Sequence, residues 1–231
     1  MTEQTLRRIL GRLLRPAGIL LIILLASWTA MAPAEARIGN LIKLVYVHGA
    51  LVLSGMLAFS LAGLLAIVAL LARRPSWFRA ADAAGRGALL AWIVCAISAM
   101  AVTKLTWGQL VAWSEPRVRS TALILLAALA LEVVARMVNQ CDFGAVVRIV
   151  MGIAPWIVTR QAEVIRHPVD PIGGSGSTAI QAFFLLIVLT VVALVLDLMA
   201  WLWVAAELRQ LHNRERPRHP GAGEDPCVHV S

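Results

Sequence analysis

Charge is scarce in this chain. Of its 231 residues only 15% are charged, and the acidic share is the smaller, 13 against 21 basic. Disordered chains are rich in charge and poor in apolar residues, so a wholly disordered protein is excluded. Apolar residues make up 60%, against roughly 45–50% in soluble domains, and a soluble globule of this size has no interior large enough to hide them. Cysteine is also sparse: Cys95, Cys141 and Cys227 lie far apart. No Cys-x-x-Cys and no Cys-x-x-Cys-His occurs, which excludes a thioredoxin-like reductant and covalent c-type haem attachment to this chain. Cys95 falls in an apolar run and the other two in segments assigned below to the cytoplasm, so no structural disulfide is expected. A Walker A motif is absent, so any coupling to ATP comes from another subunit. The net charge of +8 does not point to nucleic acid, because the basic residues flank apolar runs of membrane length and read as topology signals.

Those runs are what the chain has in abundance. A hydrocarbon core needs about 20 helical residues to cross it, and six runs qualify as spans of an all-α membrane bundle: Pro16–Met31, Leu41–Leu71, Ala88–Leu105, Thr121–Val138, the short Val146–Val158, and Ala179–Leu208. Helices are the expected form, since an open strand leaves its backbone unpaired in lipid. The first run has two readings. Arg7, Arg8, Arg12 and Arg15 precede it, and Ala32-Pro33-Ala34 and Ala34-Glu35-Ala36 follow it, which suits either a retained span or the apolar part of a cleaved signal peptide.

With six crossings and a cytoplasmic N-terminus, 14 of the 21 basic residues fall inside and 7 outside. That bias supports N-in, C-in, and a bacterial inner membrane is the expected location. Removing the fifth crossing carries the basic tail outside, so the fifth run is expected to cross, short and tilted. The six spans form one unit over residues 1–208, and residues 209–231 are expected to be a disordered basic cytoplasmic tail.

Of the five histidines, His212, His219 and His229 sit in that tail. His48 and His167 both fall on the extracytoplasmic side. Counting about 20 residues back from Leu71 places His48 one turn beyond the hydrocarbon edge, on ordered helix. His167 lies in a Pro/Gly loop before the last run. Two neutral imidazoles facing one cavity are the natural axial pair for a haem iron. Between them lies Lys104-Leu105-Thr106-Trp107-Gly108-Gln109-Leu110-Val111-Ala112-Trp113-Ser114-Glu115-Pro116-Arg117-Val118-Arg119. Trp107 and Trp113 read either as interfacial aromatics or as the apolar wall of a porphyrin site. Lys104, Arg117, Arg119 and Arg166 are candidate cations for the propionates.

Tyr46-Val47-His48, Trp107-Gly108 followed by Trp113, and His167 ahead of the last span occur in the order found in the haem-handling family of cytochrome c assembly proteins, and the chain resembles most closely its haem exporter protein C branch. The resemblance runs nearly the whole length. The family's tryptophan-rich segment is degenerate here: Leu110 and Val111 stand in place of its central paired tryptophans, and Ser114 or, with one insertion, Glu115 in place of its acidic residue, with Arg117 then at the family's arginine. The resemblance implies a non-enzymatic platform that binds haem b transiently. His48 and His167 would be the axial ligands, Trp107 and Trp113 would line the haem, and Glu115 and Arg117 would form the polar end. It implies delivery to a periplasmic haem chaperone, in company with ABC-type transporter subunits and a small membrane subunit of the maturation system, and no nucleic-acid partner.

Two other functions compete. A membrane b-type cytochrome places histidine pairs inside its spans, where none is expected here. A transporter subunit wants polar residues at the midplane, and Asp197 alone is near it. Asp197 is read as structural, Glu132 and Arg136 as a pair one helical turn apart, and Ser54-Gly55 and Ala62-Gly63 as places of close helix approach.

Overall fold

The computed structural model describes residues 3–36, 38–163 and 172–215. It contains six long helices: α1 (Glu3–Met31), α2 (Ile42–Ala72), α3 (Pro75–Trp107), α4 (Pro116–Val138), α5 (Cys141–Gln161) and α6 (Thr178–Glu215), with one 3-10 turn at Gly173–Ser175. All six contain a stretch long and apolar enough to cross a membrane. No strand occurs among the described residues; Glu35 and Gly39 form an isolated bridge. The protein is an all-α, multi-pass membrane bundle.

The helix boundaries follow from local chemistry. Residues preceding proline are pushed into extended backbone, and Arg74 and Glu115 adopt it immediately before Pro75 and Pro116, which occupy the first helical position of α3 and α4. Gly108 closes α3 in the left-handed conformation at φ 73°, its N–H donating to the Lys104 carbonyl. Arg73 and Asn139 close α2 and α4 in the same way, without glycine's freedom.

Several helices exceed their expected bounds. α3 begins at Pro75 rather than Ala88, because Arg79 and Asp82 within the added turns find charged partners on α6 and α5. α5 covers 21 residues, about 31 Å at 1.5 Å each, so the fifth crossing is full length and not short. Pro155 lies within it, buried. α1 begins well before Pro16 and carries that proline inside the helix. α6 continues to Glu215, so the first part of the expected tail is helical, and residues 216–231 lie outside the described residues. Cys95 is free and buried. Cys141 is disulfide-bonded, which corrects the expectation of no disulfide; spacing along the chain carries no information on which distant thiols meet.

Each helix runs opposite to the next, so the bundle has two ends. One, the basic end, gathers the starts of α1, α3 and α5 and the finishes of α2, α4 and α6. The other, the histidine end, gathers the starts of α2, α4 and α6 and the finishes of α1, α3 and α5. α2 is central, packed on α3, α5 and α6, whereas α1 rests mainly on α6. Small residues set the spacing. A Cβ on Gly63 would meet the Arg148 carbonyl at 3.1 Å and the Gly152 Cα at 3.3 Å, so α2 and α5 touch backbone to backbone. Ser60 Oγ bridges the same seam, donating to the Gly152 carbonyl at 3.1 Å and accepting from Trp156 Nε1 at 2.8 Å. Gly55 leaves room for the Trp92 ring, which a Cβ would meet at 2.7 Å. Trp92 is fully buried and donates its indole N–H to the Thr121 carbonyl on α4.

Candidate functional site

His48 lies in the second turn of α2, half-buried, at the histidine end. Its Nδ1 is 2.9 Å from Ser98 Oγ on α3, and Ser98 Oγ is 2.7 Å from the carbonyl oxygen of Cys95. A carbonyl only accepts, and two oxygens at that separation need a proton between them. The single hydroxyl proton of Ser98 is therefore committed to Cys95, and Ser98 Oγ accepts from His48. The imidazole accordingly carries its proton on Nδ1 and its lone pair on Nε2. A metal-binding histidine is commonly fixed in this manner, its second nitrogen held by a hydrogen bond that selects the tautomer. Ser98 escaped the sequence reading, because a serine inside an apolar run shows nothing of which helix it faces.

His167 and Arg166 lie outside the described residues, so the structure does not place the second candidate ligand. The segment linking α3 to α4 is described throughout. Trp107 is the last residue of α3 and half-buried, whereas Trp113 is 60% exposed. Ser98 is nine residues before Trp107, so the His48 ring sits about 14 Å along the α3 axis from it, toward the membrane interior. The loop is folded back on α3 by Thr103 Oγ1, which donates to the Leu110 carbonyl at 2.7 Å. Lys104 Nζ donates to the Gly108 carbonyl at 3.3 Å. This lysine therefore steadies the turn. Glu115 is almost fully buried (1% exposed), and its backbone carbonyl accepts from Val118 and Arg119 at the first turn of α4. Arg117 is half-buried, and its Nε is buried with no hydrogen-bond partner among the described residues.

An orphaned guanidinium N–H is costly unless it meets an acceptor, so Arg117 suits an anionic group arriving from outside the described residues. His48, two indoles and this arginine are residue types that a haem site uses, and they share one end of the bundle, with the His48 ring set about 14 Å deeper along α3 than Trp107. Among the described residues no group of three or more His, Cys, Asp or Glu is arranged to hold a bare metal ion.

The basic end is built differently. Arg148 on α5 is buried and reaches two acids: Asp82 on α3 at 2.9 Å and Glu132 on α4 at 2.5 Å. Arg136 also binds Glu132, at 2.8 Å, and Arg86 binds Asp82 at 2.6 Å. The Arg148 stem lies over Gly85, where a Cβ would stand 2.5 Å from both its Cδ and its Nε. Glu132 and Arg136, expected as a simple pair, thus belong to a network across three helices. A second buried pair, Arg79 with Glu207, ties α3 to α6 through a fork at 2.7 and 3.1 Å. Asp197 stands against α1, its Oδ2 2.9 Å from where a Cβ on Gly18 would be.

Neither a protein-family model nor any curated protein matches the chain. The functional reading therefore rests on the residues themselves.

Proposed function

We propose that this protein holds haem b transiently at one membrane face and passes it on for cytochrome c maturation, as a platform and not an enzyme. The observation that carries the reading is the His48–Ser98–Cys95 relay, which orients the His48 imidazole through Nδ1 at the end of the bundle that also bears Trp107, Trp113 and Arg117, whose Nε has no hydrogen-bond partner among the described residues. The resemblance in the order of His48, the tryptophan segment and His167 supplies the remainder.

When bound, haem would supply a redox-active iron, and His48 and His167 would hold that iron through their imidazole nitrogens. Two nitrogen ligands leave no open position for oxygen chemistry, which suits a carrier. Trp107 and Trp113 would cover apolar faces. Glu115 would help to hold the first turn of α4, where Arg117 would meet a propionate. Trp113 is exposed and would be within reach of a periplasmic haem chaperone, to which the haem would be delivered. A bacterial inner membrane location, with ABC-type transporter subunits and a small membrane subunit as companions, belongs to the same proposal.

The charge asymmetry supports placing the basic end in the cytoplasm and the histidine end outside. Arg12, Arg15, Arg73, Arg74, Arg79, Arg86, Arg136, Arg148 and Arg209 gather at the first, and Lys43, Lys104, Arg117, Arg119 and Arg160 at the second. The Cys141 disulfide at the basic end argues the opposite way, since such bonds persist in oxidising compartments. A single cysteine introduced at Gly174, probed with an impermeant thiol reagent on whole cells and with Cys95, Cys141 and Cys227 replaced by serine, decides between them.

The function is tested by absorption spectroscopy of the detergent-purified chain, as isolated and after addition of haem. A bis-imidazole b-type spectrum that weakens in His48→Ala and in His167→Ala is expected. A preparation that takes up no haem, or a spectrum indifferent to both substitutions, overturns the proposal.

A further inference from the structure

At the basic end α1 and α6 run antiparallel with a fixed register. A Cβ on Gly11 would meet Val204 Cγ1 at 3.4 Å, and one on Gly18 would meet Asp197 Oδ2 at 2.9 Å, seven residues further along α1 and seven residues back along α6. Beside this seam lies a cleft of about 500 Å³, its cationic wall formed by Arg12 and Arg15 and its apolar wall by Trp201, Val204 and Leu208. Neither arginine makes an ion pair among the described residues, and both are exposed. The acids on the facing helix do not neutralise them: Glu207 is bound by Arg79, and Asp197 lies deeper, against Gly18.

Arg12 and Arg15 fall in the opening turns of the apolar part of α1, which runs from Gly11 to Met31. That is the depth of a lipid headgroup. Trp201, 36% exposed, adds an indole of the kind that settles at this level. A soluble anion gains nothing from an apolar wall, whereas a phosphodiester carrying acyl chains uses both walls. We infer that this cleft is a binding site for an anionic phospholipid, its phosphate on Arg12 and Arg15 and its glycerol and upper chains against Trp201 and Val204. The inference uses neither histidine and is independent of the haem reading.

The test uses the full chain in phosphatidylcholine nanodiscs doped with brominated lipid. Trp201 emission is isolated as the difference between wild type and W201F. Each basic residue near a membrane surface is worth about five-fold in anionic-lipid affinity, so two together predict an enrichment of brominated phosphatidylglycerol over brominated phosphatidylcholine of about thirty-fold. R12Q/R15Q is expected to abolish that preference, and R12K/R15K to keep most of it. If the double variant fails to fold, R12Q and R15Q are measured singly, and each is expected to lower the enrichment about five-fold. Equal quenching by the two lipids overturns the inference, as does a preference that survives loss of the arginines. Displacement of the brominated lipid by soluble glycerol 3-phosphate also overturns it, by making the cleft a site for any phosphate.

Discussion

The two ends of the bundle handle polar side chains in opposite ways. At the basic end each of three carboxylates meets a cation from another helix, Asp82 and Glu132 through Arg148 and Glu207 through Arg79, while Arg86 and Arg136 add pairs within their own helices and Arg79 Nη1 has no hydrogen-bond partner among the described residues. At the histidine end, polar groups are oriented without being matched by opposite charge: Ser98 aims His48 without neutralising it, and Arg117 Nε has no hydrogen-bond partner among the described residues. A network of matched charges locks helices together, and breaking it exposes uncompensated charge. Polar groups held in place with capacity to spare are the raw material of a binding site.

The largest effect that sharpens this contrast is expected from Arg148→Met. It leaves Glu132 and Asp82 short of their central cation at a buried site, a loss of about 3–5 kcal/mol. Unfolding in mixed detergent should show it, and a stability equal to wild type would refute the lock. Next comes Gly85→Ala, which drives a methyl into the Arg148 stem and costs roughly 1–3 kcal/mol by overpacking. Its control is Gly144→Ala on α5, which meets nothing within 4 Å and should leave the unfolding midpoint unchanged or slightly raised. If the two glycines respond alike, the proximity of Gly85 to Arg148 is not what matters.

Smaller consequences are expected at the histidine end. Ser98→Ala removes the hydrogen bonds to His48 and to the Cys95 carbonyl, about 0.5–1.5 kcal/mol each, and should shift the ring proton of His48 toward Nε2. Nitrogen-15 NMR of labelled histidine reads this directly: wild type as the Nδ1–H tautomer, Ser98→Ala as a mixture, and Ser98→Thr restored. A wild-type ring protonated on Nε2 would contradict the relay. Trp113→Ala should change stability least, within about 0.5 kcal/mol, because the ring is already largely in contact with solvent or lipid. Weaker haem uptake without loss of stability would assign the indole to binding, whereas unchanged uptake would leave it an interfacial aromatic.

The start of α3 shows where sequence reasoning stopped short. Residues 75–87 contain Ser76, Arg79, Asp82 and Arg86 among alanines and glycines, which looks like a polar connection and was placed outside the span. In the fold, Phe78, Ala81, Ala83, Ala84, Gly85 and Gly87 are buried, while Arg79 and Asp82 reach acceptors and donors on α5 and α6. A window of hydropathy penalises charge without knowing whether a partner waits on another helix. The candidate site was legible in part: His48 and the tryptophan segment stand out because histidine and paired indoles are rare near apolar runs, whereas Ser98 and Thr103 act only through the helix or loop they face.

The number of crossings and their helical form were decided by the sequence alone. Bilayer thickness sets the length of an apolar run, and backbone pairing in lipid leaves the helix as its form; both constraints act within one segment. Which polar groups meet was decided by the tertiary structure, since that depends on how separate helices are rotated and slid against one another. The close contact of Gly63 with Gly152, the fit of Arg148 over Gly85 and the turn of α3 that brings Ser98 to His48 set those relations.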